Sequence, residues 1–384
     1  MIPYGKHHIS AQDIATVNDI LQSDWLTQGP TVPAFEHAIA NYCQATFAVA
    51  CNSATSALHI ACLALNVSEG DIVWTSPISF VASANCALYC GATVDFVDIN
   101  SHTINIDCQA LAQKLQQAEQ ANQLPKVLIV VHMAGIICDM QAIAQLAERY
   151  QFYVIEDASH AIGARYQQQP VGNCAYSDIT VFSFHPVKII TTAEGGLATT
   201  NDEKLADKMA LYRSHGIIKH QTLQQSSQPA WYYEQHQLGF NYRLTDIQAA
   251  LGLSQLKSLD KFIEQRQILA ARYKIALAAL PVICQFLPEH CSPSYHLFII
   301  QLTSESPLNR LQLFNACRAA DIGVNVHYIP IHTQPYYQKL GFKMGDFPEA
   351  ERYYQNCLSL PMYPTLTNTE FEHIIHTLKQ LLSA

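Results

Sequence analysis

Short runs of branched and aromatic residues alternate with longer amphipathic stretches along much of the chain. FAVAC (47–51), DIVW (71–74), VDFV (94–97), VLIVV (127–131), FYVIE (152–156) and ITVFSF (179–184) have the length and composition of strands. Between them, ATSALHIACLALN places Leu58, Ala61, Cys62 and Leu65 on one helical face, and MQAIAQLAERY does the same with Met140, Ile143, Ala147 and Tyr150. Strands separated by helices predict a mostly parallel α/β sheet, which binds its ligands beyond the carboxyl ends of the strands. The capping pattern TDIQ at 245–248, followed by Ala250, Leu253, Leu256, Leu259 and Ile263, predicts a long helix. After about residue 265 strands become fewer (HLFIIQL, VNVHY) and helices are expected near 307–319, 347–357 and 367–382. The expected organisation is a large domain over 1–265, with an N-terminal arm over 1–30, and a smaller α+β domain over 266–384.

Composition narrows the function classes. Charged residues make up 14% of the 384, while apolar ones reach 49%; soluble proteins average roughly 25% charged. A surface so poor in charge is expected to be covered by a second subunit. The net charge of −9 and the lack of a basic block exclude nucleic acid and anionic membranes as expected partners. The start, MIPYGKHHIS, has no apolar core of a signal peptide, and the longest apolar runs are strand-sized. A cytoplasmic location is the expectation. The twelve cysteines contain no CxxC pair and read as reduced, mostly buried thiols. The seventeen histidines show no short metal-ligand spacing, so no metal is expected.

The candidate chemistry centres on Lys188, which sits in SFHPVKIITTAEGG (183–196) between a His-Pro and a Gly-Gly. A lysine enclosed by apolar neighbours needs a reason, because burying an ammonium is costly. The residues just beyond the strands supply one. FYVIE leads into DASHA, with Asp157 and His160, ITVF into Ser183, His185 and Lys188, and FAVAC into NSATSAL, a hydroxyl-rich helix start. Each feature has an ordinary structural explanation taken alone: a snorkelling lysine, a capping aspartate, a plain helix start. On one rim they meet the needs of pyridoxal phosphate: an amine for an imine, a carboxylate for the pyridine nitrogen, and N–H groups for a phosphate.

The landmarks LTQGP (26–30), NSATSAL (52–58), PISFVASAN (77–85), VIEDASHAIGA (154–164), SFHPVKIITTAEGG, RSHGI (213–217) and GFNYRLTDIQAALG (239–252) resemble those of the DegT/DnrJ/StrS sugar aminotransferases, nearly end to end. The resemblance implies fold type I architecture, a mostly parallel mixed sheet between helices with a smaller α+β C-terminal domain. It implies pyridoxal 5'-phosphate as cofactor, and L-glutamate and a UDP-linked keto-sugar as substrates. Lys188 would bind the cofactor and shuttle the proton, Asp157 would pair with the pyridine nitrogen, and His160 would lie near the phenolic oxygen. Phe80 would stack on the ring, and Ala54, Thr55 and Ser183 would hold the phosphate. Asn241 would reach the phosphate of the neighbouring subunit, giving a homodimer with shared active sites. Tyr4, Leu26, Thr27, Gln28 and Gly29, and His327, Tyr328, Ile329 and Pro330, would contact the nucleotide sugar. VNVHYIPIHTQPYY (324–337) and WTSPISFVASANCALYCGATVDFVDI (74–99) are most similar to the pseudaminic acid branch. Ile189 and Ile137 stand where the family often has proline. Either Arg243 or Arg213 could receive the glutamate carboxylates.

Other readings are weaker. A dehydratase branch of the family replaces the lysine with histidine. A nicotinamide oxidoreductase would need GxGxxG, and no GxG occurs. A non-enzymatic sugar-binding protein on the same fold would have no use for the complete Lys-Asp-phosphate set.

Overall fold

The computed structural model describes residues 1–219, 229 and 231–383. Its centre is a seven-stranded sheet built from β1 (Phe47–Cys51), β2 (Ile72–Thr75), β3 (Thr93–Phe96), β4 (Val127–Val131), β5 (Tyr153–Asp157), β6 (Ile179–Ser183) and β7 (Gly196–Thr200). The order is β1-β7-β6-β5-β4-β2-β3. β6, β5, β4, β2 and β3 run parallel, whereas β7 is antiparallel to both β6 and β1. The result is the mostly parallel mixed sheet expected from the sequence.

The sheet is buried on both faces, as its continuous apolar strands require. Alternate residues divide between two cores: in β4, Val127 and Ile129 join one, and Leu128 and Val130 the other. The first core is covered by α3 (Ala54–Ala64), α4 (Ala82–Tyr89) and α7 (Glu203–Arg213). The second is covered by α2 (Thr31–Cys43), α5 (Cys108–Ala121), α6 (Met140–Tyr150), α8 (Asp246–Leu256) and the start of α9 (Leu259–Leu277). α1 (Ala11–Leu21) packs on α8. A third core, running from Leu269 to Leu382, surrounds the small antiparallel sheet of Val282–Cys284, Phe298–Leu302 and Cys357–Leu360. Residue 265 itself lies inside α9.

Two expectations change. The long helix begins at Thr245 with the expected capping box, but a turn at Lys257–Ser258 divides it into α8 and α9. The apolar stripe crosses this break because Leu253, Leu256, Leu259 and Ile263 all face the same core; periodicity reports the buried face, not backbone continuity. VNVHY is not a strand. It makes one isolated bridge, Asn325 with Ser359, and then leaves the ladder: His327 Nδ1 lies 2.8 Å from Ser359 Oγ, and Tyr353 Oη donates to the His327 backbone carbonyl at 2.5 Å.

Candidate active site

The register of the sheet brings the sequence-predicted groups to one rim. Asp157, the last residue of β5, is level with Val131 of β4 and Val181 of β6. Ser183, the last of β6, pairs with Gly196, which in turn pairs with Cys51. Lys188 hangs in the loop closed by the Ser183–Gly196 pair. A cavity of about 510 Å³ opens here, lined by Lys188, Asp157, His160, Ser183, Ala54, Thr55 and Phe80. Tyr4, His327 and Tyr328 form a further wall.

At the start of α3, Ser53 caps the helix by accepting from the Ser56 N–H at 3.1 Å. Among the described residues, the Ala54 and Thr55 N–H groups have no partner in the chain, as expected of the first positions of a helix. Gly196 fits tightly against them: a Cβ there would stand 2.3 Å from the Ala54 nitrogen. This is a cradle of N–H groups at the positive end of a helix, suited to a phosphate.

The buried carboxylate of Asp157 is fixed from behind. Oδ2 accepts from Ser83 Oγ at 2.6 Å, and Oδ1 accepts from the Ser159 N–H at 3.1 Å and its hydroxyl at 2.5 Å. A carboxylate has about four acceptor positions, so capacity remains for a ligand in the cavity. Burial pushes the half-buried Lys188 ammonium down to about 8, against the opposing pull of Asp157. The same burial, reinforced by the nearby Lys188 charge, holds the His160 imidazole well below its ordinary value. His160 Nδ1 accepts from the Ala134 N–H at 3.3 Å, so its proton is on Nε2, which points to Tyr328 Oη at 3.2 Å. Burial and Lys188 likewise lower His327 to about 3. The inner polar lining thus includes the imidazoles of His160 and His327, a poised amine and the anchored carboxylate of Asp157. Phe80, 59% exposed, offers a ring at the mouth. These residues fit pyridoxal phosphate: amine, carboxylate, N–H cradle and aromatic platform surround one space.

Other expected residues lie elsewhere. Leu26 to Gly29 run along the start of α8, where the Leu26 carbonyl accepts from the Asp246 N–H at 3.0 Å, Thr27 bridges to Thr245 and the Gly29 N–H donates to Asp246 at 3.1 Å. They do not line this chain's cavity, and neither do the exposed Ile329 nor the buried Pro330. Asn241 is exposed on the outer side of the cradle, its carbonyl 3.4 Å from Asn52 Nδ2. Arg213 pairs with Glu36 and donates to the Ala50 carbonyl at 2.8 Å, so it is already committed, whereas Arg243 is half-buried.

Sequence reasoning missed Ser83 and Ser159, which anchor Asp157, and His296, whose ring stands 4.4 Å from that of His160. Ser159 lies two residues beyond Asp157 and was within reach of an Asx-turn reading; nothing local marks Ser83 or His296.

Residues 7–379 match the DegT/DnrJ/EryC1/StrS aminotransferase family. The chain is 38% identical to the spore coat polysaccharide biosynthesis protein SpsC of Bacillus subtilis, over 99% of this chain and 97% of that one. It is 38% identical to the UDP-4-amino-4,6-dideoxy-N-acetyl-β-L-altrosamine transaminase of Campylobacter jejuni, over 100% of this chain and 98% of that one. Among solved structures, the putative sugar aminotransferase Spr1654 of Streptococcus pneumoniae in its PMP form superposes with a TM-score of 0.91 at 31% identity, covering 99% of both chains. That neighbour has also been solved in a PLP form. With the cradle, the lysine and the aspartate in place, the chain belongs to the DegT/DnrJ/EryC1/StrS family as a sugar aminotransferase of fold type I whose cofactor is pyridoxal phosphate.

Proposed function

We propose that the enzyme moves the amino group of L-glutamate to carbon 4 of a UDP-linked 4-keto-6-deoxy-N-acetylhexosamine, UDP-2-acetamido-2,6-dideoxy-β-L-arabino-hex-4-ulose. The observation that carries the transamination is the convergence of Lys188, Asp157 and the α3 cradle on one cavity. The choice of sugar rests on the end-to-end similarity to the Campylobacter transaminase.

Bound pyridoxal phosphate supplies the electron sink and carries the amino group between the two half-reactions. The chain's own residues do the rest. Asp157, held by Ser83 and Ser159, would present a fixed carboxylate oxygen to the ring nitrogen. The Ala54 and Thr55 N–H groups, with Ser183, would hold the phosphate. Lys188, lowered to about 8, has a useful fraction of free amine near neutral pH. Its Nζ takes the proton from the donor's α carbon and delivers one to carbon 4 of the acceptor. His160, neutral and oriented by Ala134 and Tyr328, would lie near the ring oxygen, and Phe80 would offer its face to the ring. The sugar occupies the wall of Tyr4, His327 and Tyr328.

The working unit is proposed to be a homodimer in which Asn241 and the Leu26–Gly29 segment serve the neighbouring site. The exposed position of Asn241 supports this, as do Trp231, Tyr233 and Leu238, which are 81%, 59% and 80% exposed near the same loop.

The equal identity to SpsC supports a second reading, amination of a different nucleotide-linked keto-sugar. The test is competition between the β-L-arabino 4-ulose and its D-xylo epimer, with glutamate as donor and the product assigned by NMR. Preference for the first, with nitrogen at carbon 4, is expected. Preference for the second, or nitrogen at carbon 3, replaces the sugar and leaves the transaminase standing.

A further inference from the structure

Residues 239–242 run between the end of α7 and the start of α3 and are laced to both. On the α7 side, the Phe240 N–H donates to the Tyr212 carbonyl at 2.7 Å, the His215 N–H to the Phe240 carbonyl at 2.9 Å and the Tyr242 N–H to the Arg213 carbonyl at 3.0 Å, while Asn241 forms an antiparallel bridge with Ser214. On the α3 side, the Asn52 N–H donates to the Tyr242 carbonyl at 2.8 Å. The Asn52 side chain accepts from Ser56 Oγ at 2.6 Å and directs Nδ2 toward the Asn241 carbonyl at 3.4 Å. Two of the sequence landmarks, RSHGI and GFNYRL, thus form one strap across the helix that opens with the phosphate cradle.

The side chains of this strap divide between two directions. Phe240 and Tyr242, two residues apart, stack on each other with ring centroids 4.9 Å apart and planes inclined by 12°. Both meet the imidazole of His59 on α3, at centroid distances of 4.8 and 5.9 Å. His59 is buried, and Tyr89 of α4 closes on it at 5.4 Å. A buried imidazole needs a hydrogen-bond partner, and Tyr242 Oη, 3.2 Å from His59 Nδ1, provides one. Asn241 lies between the two anchored rings. Alternation along extended backbone turns it the other way, and it is exposed.

We propose that His59 and Tyr242 are positioning residues for the neighbouring subunit's cofactor: their contact fixes the strap so that Asn241 faces outward toward the neighbour's phosphate. This rests on the shared site proposed above and adds what holds Asn241 in place. On this arrangement each α3 serves two phosphates. Its first N–H groups serve the one in its own chain, and His59, further along the same helix, serves the one next door through Tyr242 and Asn241. Neither residue touches the cavity of its own chain, so their substitution should be felt in the other subunit.

The test measures cofactor affinity one site at a time in full-length heterodimers purified through two different tags. One chain carries Lys188→Ala, so the visible absorbance of lysine-bound cofactor reports only the site that contains the other chain's Lys188. With Tyr242→Phe in the Lys188→Ala chain, the reporting site receives its Asn241 from the altered strap. Its Kd for pyridoxal phosphate should rise about three- to tenfold, the loss of one hydrogen bond. With Tyr242→Phe in the chain that keeps Lys188, the reporting site should bind as in the reference heterodimer. His59→Phe, which keeps a ring, should give the same pattern, and the two changes together should cost no more than either alone. Equal weakening in both arrangements, weakening only in the second, or none in either overturns the proposal. Asn241→Ala in the same two arrangements separates the two failures. If it acts across the interface while Tyr242→Phe does not, the shared site stands without His59 and Tyr242. If it weakens only its own chain's site, or if the chain does not dimerise, both fall.

Discussion

The amine of Lys188 is held in a state that costs the protein stability. Its value in the folded chain, about 8, lies below the 10.5 of an exposed lysine. At any pH between these values the unfolded chain binds more protons, so stability rises with pH through this window; below about 8 the full penalty applies. A difference of this size corresponds to roughly 3–4 kcal/mol. Lys188→Met, which keeps the bulk and removes the charge, should therefore make the cofactor-free protein more stable at pH 7. The gain should shrink as pH is raised from 8 toward 10.5, which chemical denaturation across that range would measure. Equal stabilities at pH 7 would show that the lysine is not desolvated. The same residue is proposed to govern turnover. Lys188→Ala should lose activity by about four orders of magnitude or more, since the covalent attachment and the proton transfer go together. Borohydride should no longer fix cofactor to the chain, while phosphate and ring contacts still allow binding. Asp157→Asn should keep the fold and much of the cofactor but slow removal of the donor's α proton by about two orders of magnitude or more. Single-turnover absorbance with glutamate would measure this, and a near wild-type rate would place the electron-sink partner elsewhere.

At the level of elements, the start of α3 and the start of β7 meet as backbone on backbone. Gly196→Ala would bring a methyl group to within 2.3 Å of the Ala54 nitrogen and the Ser53 carbonyl carbon, with no flexible side chain to yield. The variant should lose about 1–3 kcal/mol of stability and release cofactor readily on dialysis, measured by thermal unfolding and by visible absorbance; unchanged retention would mean that the cradle does not bear on the phosphate. This junction also marks how far the sequence was legible. The six predicted strands were readable because their apolar runs are buried on both faces, and the helix caps at Thr245 and Ser53 because capping is local chemistry. β7, GLATT, was not read, because Gly, Ala and Thr have little hydrophobic signal and its strand state comes from pairing with β6 and β1. Asp157 was found beside its strand, but Ser83 is 74 residues away and only folding brings them together. The loop 324–328 was misread because its alternating pattern imitates a strand while its hydrogen bonds run to Ser359 and Tyr353.

The whole molecule raises the question of how many chains build a site. If Asn241 serves the neighbouring phosphate, a heterodimer of a Lys188→Ala chain with a disabling Asn241→Ala chain holds one doubly impaired site and one intact site. Mixing the two inactive proteins under conditions that exchange subunits should restore activity approaching half that of wild type per heterodimer. Verified heterodimers with no recovery would place each site within a single chain. In such a pair the exposed side chains of Trp231, Tyr233 and Leu238 would be covered, consistent with a chain of only 14% charged residues.

The cavity wall proposed for the sugar has a different origin from the floor. Lys188, Asp157 and the α3 cradle are all rooted in the central sheet, whereas Tyr4, His327 and Tyr328 come from the two ends of the chain. Those ends are bound to each other. The Gly323 N–H donates to the Ile2 carbonyl at 2.6 Å, the Met362 N–H donates to the Tyr4 carbonyl at 2.9 Å, and Ser359 braces His327 at 2.8 Å. Substitutions in this wall would therefore leave the proposed floor of Lys188, Asp157 and the α3 cradle untouched. A lineage of such enzymes is free to change sugars without reinventing its chemistry, and the first tens of residues should diverge in step with the stretch near 322–362, the two behaving as a single inherited cassette.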